Sequence, residues 1–409
     1  MTTLQRHLGT ADATVVGLGA MLGAGIFAAF APAARAAGAG LLLGLVIAGL
    51  VAYCNAVSSA RLAANHPQSG GTYVYGRRRL GPFWGHLAGW SFVVGKTASC
   101  AAMALTFAAY AVPSQPRLAA AAGVITLTAL TLSGVQKSML ATRVIVAVVL
   151  LLLAVVVVVC AAGGVAATAR LDPLTGTGVH GVLQAAGFLF FAFAGYARIA
   201  TLGEEVRDPA RTIPRAVTTS LGVTLVVYAA VALAALYAAG APALAASSAP
   251  LRTAVEAAGA PALGPVVRVG AALAALGSLL ALLLGVSRTT LAMARDRHLP
   301  RALAAVDEQR SVPRNAELAV AAAVLVLVLT LDVRAAIGFS SFAVLLYYAV
   351  ANAAAWTLGG GAVGKAVPAL GLAGCALLAV FLPVGSLLAG AAVVAVGAGI
   401  YLARRVTAR

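Results

Sequence analysis

Apolar runs of about 20 residues, the length needed to cross roughly 30 Å of hydrocarbon, recur along the whole chain. Short polar or Gly/Pro-bearing segments separate them. The pattern predicts twelve helical spans over residues 12–36, 40–65, 83–112, 117–134, 140–164, 181–205, 216–240, 264–294, 314–332, 335–358, 366–383 and 385–404. Only Leu382-Pro383-Val384-Gly385 parts the last two, so a single long kinked helix is the alternative there. The first apolar run lacks a short h-region followed by a small-residue cleavage site and is expected to be retained as a span. The expected fold class is an all-α polytopic membrane protein forming one transmembrane domain over 1–409.

Two of the runs are interrupted. The first carries Gly17-Leu18-Gly19-Ala20-Met21-Leu22-Gly23-Ala24-Gly25-Ile26-Phe27. Each glycine costs a helix up to about 1 kcal/mol relative to alanine. In hydrocarbon a freed N–H or C=O has no water to turn to, so a break survives only against protein or a wet cavity. One half-helix then offers bare N–H groups to an anion, and the other offers carbonyls to a cation. A zwitterionic amino acid suits both, with Gly23, Ala24 and Gly25 at its carboxylate. Close helix packing is the competing reading of the same glycines. The sixth run, Gly187-Phe188-Leu189-Phe190-Phe191-Ala192-Phe193-Ala194-Gly195-Tyr196, is apolar up to Gly195 and polar soon after. Broken helices at corresponding places in two halves point to an inverted repeat with its site at the bilayer midplane. The halves are 12–164 and 181–358, with 366–404 appended.

Composition agrees with a membrane protein: 62% hydrophobic residues, 10% charged, mean hydropathy +1.00. The formal charge of +17 suggests a nucleic-acid partner until the positions are read. If alternate loops are assigned to opposite sides, the N-terminal side holds 20 of the 28 Lys+Arg, and the other side holds Arg35, Arg117, Arg170, Arg252, Arg268 and Arg334. That bias orients spans with both termini in the cytoplasm, in a cell membrane, and argues against nucleic acid. Cys54, Cys100, Cys160 and Cys375 all fall in apolar runs and read as small core residues rather than metal ligands or disulfides. The five histidines, at loop or span-end positions, lack metal-ligand spacing. No catalytic constellation, metal site or cofactor motif is visible, so an enzyme is not expected.

Several blocks now resemble the amino acid–polyamine–organocation superfamily of permeases. Gly19-Ala20-Met21-Leu22-Gly23-Ala24-Gly25-Ile26-Phe27 is similar to its first-helix pattern. Asn65-His66-Pro67-Gln68-Ser69-Gly70-Gly71-Thr72-Tyr73-Val74-Tyr75, Gly89-Trp90, Phe193-Ala194-Gly195-Tyr196 with Gly203 to Arg215, and Ser287-Arg288 with Ala292 to Pro300 resemble further blocks, in family order. The resemblance implies a leucine-transporter-type fold and amino acid transport by alternating access. It also implies a carboxylate on the backbone of Ala24 and Gly25, an ammonium on the carbonyls of Met21, Phe191 and Ala194, and Phe191 or Phe193 as a lid.

Lys96 stands near the centre of the third span, where insertion of a cation costs at least about 2.5–3.5 kcal/mol. Many proton-coupled relatives carry a lysine in span five, but Val144 to Leu150 has none here. Lys96 is the expected replacement, desolvated so that it can release a proton during the cycle. Arg198 follows the second break and Ala197 stands where some relatives carry a carboxylate. Glu204 and Glu205 point to different helix faces, which disfavours a shared proton. With Arg198 and Arg288 they are candidates for ion pairs at an inner gate. The alanine-rich lining without a buried acid favours a small or apolar neutral amino acid, moved with protons or by exchange. Sodium is less favoured, although hydroxyls such as Ser278 could serve. The rivals are another solute, such as a polyamine, organic cation or nucleobase, and a channel or sensor that binds without transporting.

Overall fold

The structure is a computed structural model that describes residues 8–66, 70–134, 139–163, 178–200, 206–307, 309–310 and 312–407. Its described residues form helices in the order α1 (Thr10–Met21), α2 (Ala24–Ala28), α3 (Phe30–Ala37), α4 (Leu41–Asn65), α5 (Thr72–Arg79), α6 (Pro82–Ala111), α7 (Pro116–Leu132), α8 (Met139–Gly163), α9 (Val179–Phe193), α10 (Ala197–Ala200), α11 (Pro209–Ala246), α12 (Pro250–Ala257), α13 (Gly264–Arg295), α14 (Arg314–Thr330), α15 (Val333–Trp356), α16 (Gly361–Phe381) and α17 (Val384–Thr407).

Each of the twelve predicted spans contains helix, and among the described residues ten stretches are long and apolar enough to cross a bilayer. The exceptions are α7 and α14, each of 17 residues. The chain parts at Leu382-Pro383, so the last two spans are separate helices rather than one kinked rod. Proline at 383 removes a backbone donor and biases Leu382 to extended backbone, which here has φ −62° and ψ 158°. Such a chain of apolar helices is a polytopic membrane protein.

α6 runs through the centre, packed against α13 and α15, and α4 lies against α9 and α11. The core is built from small residues and a few buried rings, with Tyr110, Tyr196, Tyr228, Tyr348, Phe188, Phe190 and Phe193 all fully buried. Large aliphatic side chains such as Val46, Leu151, Val158 and Val226 are mostly exposed on the outside. That inversion is expected of a surface that meets lipid tails rather than water. All four cysteines are free and buried, as their positions in apolar runs suggest.

Candidate functional site: two crossed helix breaks

The first break needs only two residues. α1 ends at Met21, Leu22 closes it by donating its N–H to Leu18 O at 2.7 Å, and Gly23 (φ −72°, ψ −141°) starts α2. Glycine is required here by space. A Cβ on Gly23 would lie 1.6 Å from Ser278 Oγ on α13, and one on Gly25 would lie 2.7 Å from Ala192 Cα on α9. Ala24 and Gly25 are the first two residues of α2, where backbone N–H groups have no partner inside the helix.

The second break is a single 3₁₀ turn, Ala194–Tyr196, between α9 and α10. Its glycine presses on the first break: a Cβ on Gly195 would lie 2.3 Å from Ala20 O and 2.8 Å from Met21 N. The two interruptions therefore cross backbone to backbone.

A break at this depth frees carbonyls, and buried carbonyls must be paired. Tyr228 of α11 donates its hydroxyl to Met21 O and, at 3.1 Å, to Ala192 O. Lys96 of α6, 5% exposed, donates its Nζ to Ala194 O at 3.1 Å, and Tyr348 of α15 reaches the same oxygen at 3.4 Å. Phe191 O accepts from Ala194 N. Tyr110 donates to Phe27 O at 3.1 Å, and Ser278 reaches Gly19 O at 3.5 Å. Of the three carbonyls expected to meet an ammonium, Ala194 thus holds one already, from Lys96, and Met21 holds a phenol.

Phe193 packs its ring against Tyr228 at 5.1 Å, whereas Phe191 joins a separate cluster with Ala28, Cys100 and Leu279 beside the first break. A small cavity of about 10 Å³, the room of one water, adjoins Gly23 and is lined by Gly19, Thr142, Val146 and Ser278 among others.

The remaining candidates fall differently. Glu204 and Glu205 lie outside the described residues. Arg198 is half-buried on α10. Arg288 is exposed on α13 and stands within electrostatic reach of Glu317, at the start of α14. A latch that sequence reading missed joins α5 to the end of α13: Arg77 Nη1 lies 2.7 Å and Tyr73 OH 2.6 Å from Asp296 Oδ2. Tyr73 lies in the Asn65–Tyr75 stretch, but nothing local marks its partner. No group of three metal-ligating side chains occurs among the described residues.

The acids matter to the site by where they are. Asp12 pairs with Arg143, Asp208 with Arg211, Glu256 with Arg252, and Asp296 with Arg77. Asp332 caps α15, Asp307 holds its own loop, and Glu317 lies at the start of α14. Among the described residues none of these contacts places a carboxylate at the breaks, where Lys96 Nζ meets Ala194 O.

The model of the amino acid permease family matches residues 12–401. The chain belongs to that family. An uncharacterized transporter of Mycobacterium tuberculosis is 63% identical over 408 residues, covering 99% of this chain and 93% of the relative. A branched-chain amino acid permease of Bacillus subtilis is 27% identical over 341 residues, 76% of this chain and 72% of the relative. A chloroplastic cationic amino acid transporter of Arabidopsis thaliana is 28% identical over 386 residues, 86% of this chain and 65% of the relative. By its family, the names of its relatives and its ten apolar helices, the permease is a multi-pass membrane transporter.

Proposed function

We propose that this permease carries a small or apolar neutral amino acid across the plasma membrane by alternating access, driven by protons or by exchange, with both termini in the cytoplasm. The observation that carries the reading is the crossing itself. Gly195 lies on the Ala20–Met21 peptide, and a lysine ammonium already sits on a carbonyl freed by the second break. In this reading the N–H groups of Ala24 and Gly25, with Gly23 beside them, take the substrate carboxylate. The carbonyls of Met21, Phe191 and Ala194 take its ammonium, and Phe191 closes over the side chain. Residues 12–164 and 181–358 are the two inverted repeats, each with a broken first helix.

Lys96 supplies the coupling. Its ammonium competes with the substrate ammonium for Ala194 O, so a proton lost from Lys96, or a swing away, opens that acceptor. At the crossing backbone lies on backbone, and the one-water cavity beside Gly23 is walled by α1, α8 and α13, so substrate entry requires the two breaks to separate. Arg198, Arg288, Glu204 and Glu205 act at the inner gate.

Names among the relatives cover branched-chain and cationic amino acids. The charge at the crossing favours the first. A cationic side chain would enter beside Lys96 with none of the described acids seen to meet it, and like charges in a low-dielectric site repel strongly.

The test is competition uptake into proteoliposomes with each of the twenty amino acids at two pH values. Saturable uptake of neutral amino acids against a gradient, raised by an inward proton gradient, is expected. Preference for Lys or Arg, for a polyamine or for a nucleobase would overturn the substrate assignment. Binding without accumulation would mark a sensor or channel.

A further inference from the structure

At the end of the bundle that carries the N-terminus of α6 and the C-terminus of α17, a cavity of about 460 Å³ opens. Its walls are Phe83, Trp84 and His86 from the first turns of α6, Arg297 and His298 from the turn after α13, and Tyr401 and Arg404 from α17. It lies away from the helix breaks, and the transport reading does not use it.

Four features give the cavity a chemistry. First, its charge has one sign. Arg297 and Arg404 line it and no acid does; the neighbouring Asp296 is held by Arg77 and Tyr73. Second, α6 starts there with Pro82 after Gly81 (φ 105°), so the partial positive charge of a 30-residue helix points at the same space. Third, His86 is completely buried. Its Nε2 donates to Gly397 O at 3.0 Å, while its Nδ1 has no partner. That Nδ1 is itself covered, so His86 forms the floor of the cavity rather than a contact inside it. Fourth, Arg297 takes φ 61°, a left-handed conformation that costs a non-glycine residue, and Arg404 holds it by donating to Arg297 O at 2.7 Å.

The aromatic residues set the depth. Trp84 is 45% exposed in the first turn of α6, with Phe83 and Tyr401 in contact at 5.5 Å between ring centres. Tryptophan and tyrosine at helix ends sit at the level of lipid headgroups. A one-signed basic pocket between spans at that level suits an anionic headgroup.

We propose that this cavity binds the headgroup of an anionic phospholipid, as in phosphatidylglycerol. Arg297, Arg404 and the start of α6 hold the phosphate. Soluble phosphate shares that charge and lacks the tails.

The test uses the full-length chain, purified in detergent and titrated with dioctanoyl phosphatidylglycerol, dioctanoyl phosphatidylcholine or sodium phosphate, with bound lipid read by native mass spectrometry. Phosphatidylglycerol is expected to remain bound where phosphatidylcholine does not, and sodium phosphate is not expected to displace it at equal concentration. Arg297→Gln and, separately, Arg404→Gln should each weaken it roughly fivefold, the loss of one arginine at a membrane surface. Arg117→Gln, at the other end of the bundle, should leave it unchanged. Equal retention of the two lipids, unchanged retention in both arginine variants, or the same loss in Arg117→Gln would overturn the site. Displacement by phosphate as effective as by lipid would overturn the lipid assignment.

Discussion

The two breaks meet one problem with different partners. Both free carbonyls deep in the protein, where an unpaired acceptor costs about 1–3 kcal/mol. At the first, Met21 O is held by the Tyr228 phenol. At the second, Ala194 O is held by the Lys96 ammonium, with Tyr348 behind it. A phenol stays neutral through the physiological range; an ammonium can lose its charge or be displaced by another ammonium. The first break is therefore a fixed joint, and the second carries the exchangeable contact. The same difference appears in the glycines, since Gly23 faces a side chain of α13 and Gly195 faces the backbone of α1.

The sharpest way to break this comparison is Lys96→Met. It removes the exchangeable partner and keeps the volume, so proton-driven accumulation in proteoliposomes should disappear while counterflow exchange survives. A charge-assisted hydrogen bond is worth about 1.5–3 kcal/mol, so the change in uptake should exceed tenfold. Uptake that remained proton-driven in this variant would remove Lys96 from the coupling role.

Gly195→Ala comes next. The new methyl would meet Ala20 O at 2.3 Å, and backbone cannot move aside as a side chain can. Overpacking of this kind costs about 1–3 kcal/mol, visible as a lower melting temperature together with lost uptake. Gly222→Ala on α11, with nothing within 4 Å, should lower neither and serves as the control.

Tyr228→Phe tests the fixed joint. It leaves Met21 O and Ala192 O without their donor and should lower stability by about 1–3 kcal/mol while the pH dependence of uptake keeps its shape. If that variant instead shifted the pH profile, the division between fixed and exchangeable partners would fail.

The smallest effect belongs to the polar end. His298 is pushed down to about 4 by burial first and then by His86, Arg77 and Arg404, against the pull of Asp296. Tyr73 must give its proton to Asp296, so His298 Nδ1 donates to Tyr73 at 2.9 Å. The unfolded chain takes up this proton near 6.5 and the folded chain only near 4. Stability from this group is therefore complete above about 6.5 and falls as pH drops toward 4. Melting temperatures from pH 7 to 4.5 should show a shallow decline that His298→Asn reduces.

Hydropathy located the long apolar helices because the length of an apolar run is a local property; the short α5 and α12, outside every predicted span, it did not. The breaks were legible for the same reason: glycines clustered within one run show without knowledge of neighbours. Even the choice between one helix and two around Pro383 turned on local backbone rules that the sequence contained. What filled the breaks was not legible. Tyr228 and Tyr348 lie on helices remote from the carbonyls they serve, and a tyrosine in an apolar run looks the same whether it faces lipid or a freed peptide. Lys96 stood out because a charge in hydrocarbon needs a reason, but its acceptor on the second break could be seen only after folding. His86 and His298 looked like separate span-end residues, yet their rings lie 5.1 Å apart.

The two 17-residue helices, α7 and α14, pack against each other. At 1.5 Å per residue each is about 25 Å long, several ångströms less than an average hydrocarbon slab. One flank of the protein is thus shorter than the rest, and the surrounding membrane must thin there to meet it. Mismatch costs a fraction of a kcal/mol per ångström, so a thicker bilayer would press selectively on this side. Membrane thickness becomes a physical handle on the transporter, acting through the one flank whose rods do not reach.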